Sequence, residues 1–273
     1  DLSIFNWGDG TWWIMGSYYL RNWHMRWFRD HISEDVQIRD LGEDYCGFSL
    51  AGPKSRTLIS QLSEGSIEEL PFLGCGNFDI GLIRTKVGRI SVAGELGYEI
   101  NCKMGDHIAL RRILIDKGAE FNIHEYGFNA LLSMRLEKSF GIWSAEFTQG
   151  YTPGMTGLDR WINWEKGDFI GRNSAYAEKT GKGPNQKLVT LEVKADDADA
   201  SGFEPIWLKG KRVGFVTSGG YGHRIKKSLA MGLVNSELAN EDQEFKVHVV
   251  GKEQRAKVIP SSPYDPKGKV MRS

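Results

Sequence analysis

Gly94-Glu95-Leu96-Gly97-Tyr98-Glu99, closing the strand-like run Arg89-Ile90-Ser91-Val92, decides the reading of this chain. The glycines relieve the end of a strand, and Glu99 offers a buried carboxylate beside it. A ring that displays an N–H and an exocyclic amine side by side, as a pterin does, can be held bidentately by one carboxylate. Charge-assisted hydrogen bonds of that kind are roughly twice as strong as neutral ones. The plain alternative is a hairpin carrying a solvated Glu.

Outward from this point, strands and helices interleave. Residues 78–85 and 88–93 alternate enough to form a hairpin, and residues 98–102 continue the sheet. Asp106 caps a helix that runs to residue 117 and ends at Gly118, and a second helix follows over 127–139. Toward the start, residues 1–5 and 11–16 flank the turn Asn6-Trp7-Gly8-Asp9-Gly10. A hairpin at the first residue, with its outer edge unpaired, predicts a larger parent chain whose N-terminal part is missing. Ser17 caps a helix to about residue 32, in which Leu20, Trp23 and Trp27 have the spacing of a core-facing stripe. Residues 47–53 read as strand into turn, and 54–62 as a short helix.

The run Glu178-Lys179-Thr180-Gly181-Lys182-Gly183-Pro184-Asn185-Gln186-Lys187 lacks apolar periodicity and reads as a linker. Beyond it, residues 188–193, 205–209, 212–218, 229–234, 245–250 and 254–260 are short, turn-bounded strands, the pattern of a small barrel or sandwich. Ser218-Gly219-Gly220-Tyr221-Gly222-His223 lacks the Lys-Ser/Thr of a phosphate cradle and reads as a barrel turn. The expected fold class is α+β, with one domain over residues 1–185 and a C-terminal barrel over 186–273.

With 273 residues, 40% hydrophobic and 26% charged, the chain can bury a sizeable core. Basic and acidic residues both number 35, which leaves no electrostatic footprint for nucleic acid or an anionic membrane. No apolar run approaches the roughly 20 residues a membrane helix needs. Cys46, Cys75 and Cys102 form no C-x-x-C pair, so a disulfide framework is not expected and a reducing compartment is. His24 and His31 could share a helix face, yet no zinc-type ligand set is present and no metal is expected.

Eight stretches in order carry a resemblance: Asp1-Leu2-Ser3-Ile4, His24-Met25-Arg26-Trp27-Phe28, Gly47-Phe48-Ser49-Leu50-Ala51-Gly52-Pro53, Gly94 to Glu99, Arg135-Leu136-Glu137-Lys138, Asp168-Phe169-Ile170-Gly171-Arg172, Thr217-Ser218-Gly219-Gly220-Tyr221-Gly222 and Tyr264-Asp265-Pro266. Through them nearly the whole chain resembles the folate-binding portion of dimethylglycine and sarcosine dehydrogenases, itself similar to the T-protein aminomethyltransferase of the glycine cleavage system. The resemblance implies a T-protein-like folate-binding fold, truncated at its N-terminus, with a small C-terminal β-barrel. It implies tetrahydrofolate as cofactor, and FAD only in a flavin domain that would continue covalently upstream.

The function it implies is one-carbon transfer: the iminium left by oxidation of an N-methylglycine would be trapped as methylenetetrahydrofolate. Asp1 would be catalytic, accepting the proton that the folate nitrogen loses. Glu99, Asn129 and Phe140 would bind the cofactor, although many relatives place Arg at Asn129 and Tyr at Val92. The expected location is the cytoplasm, or the mitochondrial matrix in a eukaryote. Two alternatives share the fold. One is a non-catalytic folate-binding assembly factor, whose Lys-Gly-Cys-Tyr-x-Gly-Gln motif corresponds here to Lys166-Gly167-Asp168-Phe169-Ile170-Gly171-Arg172, without the cysteine. The other is a flavin-independent, folate-dependent demethylase.

Overall fold

A computed structural model describes residues 2–273, so Asp1 lies outside the described residues. The chain forms two compact units, one of residues up to Tyr126 together with Gly268–Ser273, the other Gly127–Lys267.

The first unit is built on a five-stranded antiparallel sheet. Its strands are β3 (Tyr45–Ala51), β4 (Ser63–Glu64), β5 (Cys75–Ile80), β6 (Ile83–Gly88) and β7 (Gly97–Lys103), in the spatial order β3-β7-β6-β5-β4. Alternation along β7 sorts its side chains: Tyr98, Ile100 and Cys102 are buried, while Glu99 and Asn101 on the other face are only half-buried. The buried set packs with Leu58 and Ile59 of α2 (Ser55–Leu62) and with Leu110 and Leu114 of α3 (His107–Gly118). Leu110 and Leu114, one helical turn apart, present a single apolar stripe to the sheet. A separate hairpin pairs β1 (Ser3–Asn6) with β2 (Trp12–Met15). Its inward residue Phe5 is 6% exposed whereas its neighbour Ile4 is 62% exposed.

Several local expectations for this unit need correction. The central hairpin turns five residues earlier than the alternation suggested, at 81–82, because Gly81 takes a left-handed conformation (φ 58°) and turns the chain there. Residues 89–96 then leave the sheet instead of forming a strand. Buried Arg89 anchors that loop by donating from Nη1 to the Leu70 carbonyl at 2.9 Å. In α1 (Arg21–His31) the buried residues are His24 and Met25, and Trp27 is 43% exposed. Trp23, Trp27 and His31 instead stack in succession along the helix, at 6.4 and 3.8 Å between ring centroids. Gly118 stays helical, and Asn122 supplies the left-handed residue that ends the segment.

The second unit contains a closed six-stranded barrel. Its strands are β8 (Gln186–Val193), β9 (Pro205–Leu208), β10 (Lys211–Gly222), β11 (Lys227–Asn235), β12 (Glu244–Val249) and β13 (Lys252–Ile259), closing in the order β10-β11-β8-β13-β12-β9. Leu191, Val193, Ile206, Val216, Val247 and Val258 fill its interior. The helices α4 (Phe128–Glu137), α5 (Pro153–Thr156) and α6 (Arg172–Thr180) precede the barrel in the same unit. The architecture is therefore α+β with a C-terminal barrel, as the six short runs suggested. The glycine-rich run 218–222 is not a turn; it is the last part of β10, and the chain reverses after it. A Cβ at Gly222 would sit 3.1 Å from Glu137, and one at Gly219 would sit 2.2 Å from the Ala200 carbonyl oxygen. These glycines let neighbouring chain approach the strand closely.

Candidate functional site

Register places four residues side by side on the sheet face opposite the buried set of β7. Glu99 is opposed by Ser49 on β3 and by Gly88 on β6, and Gly88 by Cys75 on β5. Gly88 contributes no side chain, and Phe5 fills that space: a Cβ there would lie 2.4 Å from the Phe5 ring. The Cys75 thiol donates to the Asn6 carbonyl at 3.0 Å. Two residues along the strand, Asn101 is opposed by Gly47 and Lys86. Lys86 donates to Asn77 at 3.0 Å and lies 4.3 Å from the ring centre of Trp7 and 5.4 Å from that of Trp13. Trp13 in turn meets Tyr45 edge-on at 4.7 Å. The row around Glu99 is thus floored by glycine and bounded by an aromatic wall.

Glu99 itself is half-buried, and burial pushes its carboxyl above the ordinary glutamate value. Nothing among the described residues donates a hydrogen bond to it. Its neighbour Ser49 is engaged, accepting at Oγ from the Tyr126 hydroxyl at 3.2 Å. A desolvated carboxylate without donors is costly to the free protein unless a ligand completes it. Two adjacent N–H groups would do so in the geometry that a single carboxylate accepts best.

The other candidates lie elsewhere. Asn129 is exposed in the first turn of α4, and Phe140 is half-buried just beyond that helix, its carbonyl accepting from Arg135 Nη1 at 3.0 Å. Both belong to the second unit, and Glu99 to the first. Val92 is 38% exposed in the loop that replaces the expected strand. The catalytic candidate Asp1 is outside the described residues. Among the described residues no group of three or more His, Cys, Asp and Glu side chains is arranged to hold a metal ion, and no helix is long and apolar enough to cross a membrane.

Sequence reasoning missed the Ser49–Tyr126 pair and the Lys86–Trp7–Trp13 cluster, because register across strands cannot be read from spacing along one of them. It also weighed His24 only as a metal ligand. The structure buries that imidazole edge-on against Trp23, and burial lowers its pKa, keeping it neutral to lower pH.

The stretch Arg135-Leu136-Glu137-Lys138 proves to be a buried polar clasp within the second unit. Arg135 Nη1 donates to Glu146 Oε2 at 3.0 Å, and both side chains are almost fully buried. Glu146 also accepts from the Ile142 amide at 3.0 Å and from the Thr217 and Ser218 hydroxyls, each at 2.6 Å. Glu137 accepts from the amides of Arg224 and Ile225 at 2.7 and 3.0 Å. Lys138 donates to the carbonyls of Tyr264 and Asp265 at 3.0 and 2.7 Å.

Known families match over most of the length. Residues 1–166 match the GCVT N-terminal domain, and residues 186–265 the glycine cleavage T-protein C-terminal barrel domain. The chain is 34% identical over 241 residues to mitochondrial dimethylglycine dehydrogenase of Mus musculus, covering 86% of this chain and 28% of that protein. It is 26% identical over 261 residues to an aminomethyltransferase of Geobacillus sp. (strain WCH70), covering 95% of this chain and 71% of that protein. Among solved structures, the glycine cleavage system aminomethyltransferase T from Bartonella henselae superposes with a TM-score of 0.72 at 25% identity, covering 81% of this chain and 60% of that one. The chain thus spans little more than a quarter of the dimethylglycine dehydrogenase length, at 28%.

Proposed function

The chain belongs to the glycine cleavage T-protein family as an aminomethyltransferase-like module, and from that premise we propose that it is the tetrahydrofolate-dependent one-carbon transfer module of a flavin-dependent dimethylglycine or sarcosine dehydrogenase. The observation that carries the folate half is Glu99: a half-buried carboxylate, raised in pKa, with no hydrogen-bond donor among the described residues and flanked by glycine. That arrangement suits the paired N–H groups of a reduced pterin. When bound, tetrahydrofolate supplies the nucleophilic nitrogen that takes up the one-carbon unit. Glu99 would orient the ring, while the neighbouring aromatic side chains keep water from competing for its carboxylate. Asn129 and Phe140 remain proposed folate contacts on the resemblance alone.

Titration of the purified chain with tetrahydrofolate tests this reading. Saturable binding is expected, and its absence would leave the fold without the function.

The dehydrogenase half of the proposal rests on the similarity to dimethylglycine dehydrogenase, and FAD would belong to sequence upstream of this module. The compartment it implies is the cytoplasm, or the mitochondrial matrix in a eukaryote. Asp1 is proposed as the group that accepts the proton from the folate nitrogen. In a flavin-containing protein that carries this module, Asp1→Asn should lower methylenetetrahydrofolate formation by about 10²–10⁴-fold, the usual range for general-base assistance, while flavin bleaching proceeds normally. Equal loss of both signals would remove Asp1 from the transfer step.

A further inference from the structure

Cys46 on β3 and Cys102 on β7 are register partners, directly opposite one another across the sheet. The flanking bonds Met104 N to Asp44 O at 2.9 Å and Gly52 N to Leu96 O at 2.8 Å fix the phase of the ladder, making 46/102 a hydrogen-bonded pair. Such pairs hold their Cα atoms about 5.5 Å apart, within the roughly 4.4–6.8 Å that a disulfide spans. Both side chains lie on the face that packs with the helices, and both thiols are free. Cys102 is fully buried, whereas Cys46 is only partly so. Burial, with the Cys46 sulfur nearby, pushes the Cys102 thiol up to about 12, so it is the poorer first nucleophile of the two. Cys75 cannot join them. It sits in the Glu99 row on the opposite face, and its thiol is engaged with the Asn6 carbonyl.

We propose that Cys46 and Cys102 form a modification site, at which a peroxide oxidises Cys46 and Cys102 then closes an intramolecular cross-strand disulfide. In the first step the Cys46 sulfur, having given up its proton, attacks one peroxide oxygen. The S–O bond forms, the O–O bond breaks, and hydroxide departs and takes up that proton as water. In the second step the Cys102 sulfur attacks the Cys46 sulfur. The S–S bond forms, the S–O bond breaks, and the leaving hydroxide takes the Cys102 proton as water. The pair of thiols loses two electrons and hydrogen peroxide gains them. Nothing in this chemistry depends on folate binding.

The test treats the whole chain with hydrogen peroxide, blocks remaining thiols with an alkylating agent, and maps peptides by mass spectrometry without reductant. The expected product has lost two hydrogens, links the Cys46 and Cys102 peptides within one chain, and carries an alkylated Cys75. In Cys102→Ser the reaction should stop at a Cys46 sulfenic acid that dimedone captures. Cys46→Ser should give neither link nor adduct. No linkage in the wild-type chain, linkage through Cys75, linkage only between chains, or a folded Cys102→Ser chain without a dimedone adduct at Cys46 would each overturn the proposal. The wild-type map decides the matter even if a variant fails to fold.

Discussion

Arg135→Ala is expected to destabilise the second unit by about 3–5 kcal/mol, because it strands the fully buried Glu146 carboxylate without its cationic partner. Replacing both members of a buried ion pair with apolar residues often restores stability, but here it should not. Thr217, Ser218 and the Ile142 amide also donate to Glu146; removing the acceptor would leave Thr217 the Met231 carbonyl at 3.1 Å but would orphan the Ser218 hydroxyl and the Ile142 amide in the interior. The combination Arg135→Met with Glu146→Leu should therefore stay well below wild type. Denaturant unfolding measures both variants. A loss in Arg135→Ala within the range of exposed ion pairs, under about 1 kcal/mol, would show that water reaches the carboxylate.

Glu99→Gln should produce two effects of opposite sign. Tetrahydrofolate binding should weaken by about 1.5–3 kcal/mol, one to two decades in dissociation constant, as a charge-assisted pair becomes a neutral one. The free chain should become more stable at neutral pH. Burial raises the folded-state pKa of Glu99 above its unfolded value, so the folded state holds the extra proton between the two. Stability contributed by Glu99 is present below the unfolded value, about 4.3, and is lost as pH rises through the higher folded one. Glutamine has no such penalty. Its advantage in thermal unfolding at pH 7 should shrink as the solution is acidified toward the ordinary glutamate range. A wild-type chain more stable than the variant at neutral pH would mean that the carboxylate is already satisfied, contrary to a waiting ligand site.

Period-two alternation made the barrel legible, since Leu191 and Val193 inside β8 or Val247 and Val249 in β12 repeat at strand spacing over several short runs. The glycine-rich end of β10 was misread for an equally physical reason. Glycine marks a turn and a close approach of backbone with the same residue type, and only packing tells them apart. The α1 stripe failed because Trp23 and Trp27 find partners in each other and in His31, an aromatic ladder that does not require the core. Glu99 could be singled out from its glycine-flanked strand, but not what surrounds it. Ser49, Gly88 and Phe5 lie far from it in sequence and meet it only through strand register and the fold-over of the first hairpin.

That first hairpin is a sheet of its own, and among the described residues no main-chain ladder joins it to the five-stranded sheet beneath. A two-stranded ribbon is marginal in water by itself. This one is held by the Phe5 ring over Gly88, by Lys86 against Trp7 and Trp13, by Trp13 edge-on to Tyr45, and by one thiol bond to a carbonyl. The Glu99 row therefore has a roof that can lift by giving up side-chain contacts alone. Local opening of that kind costs far less than global unfolding, so a planar molecule could reach the row while every strand of the platform below keeps its pairing.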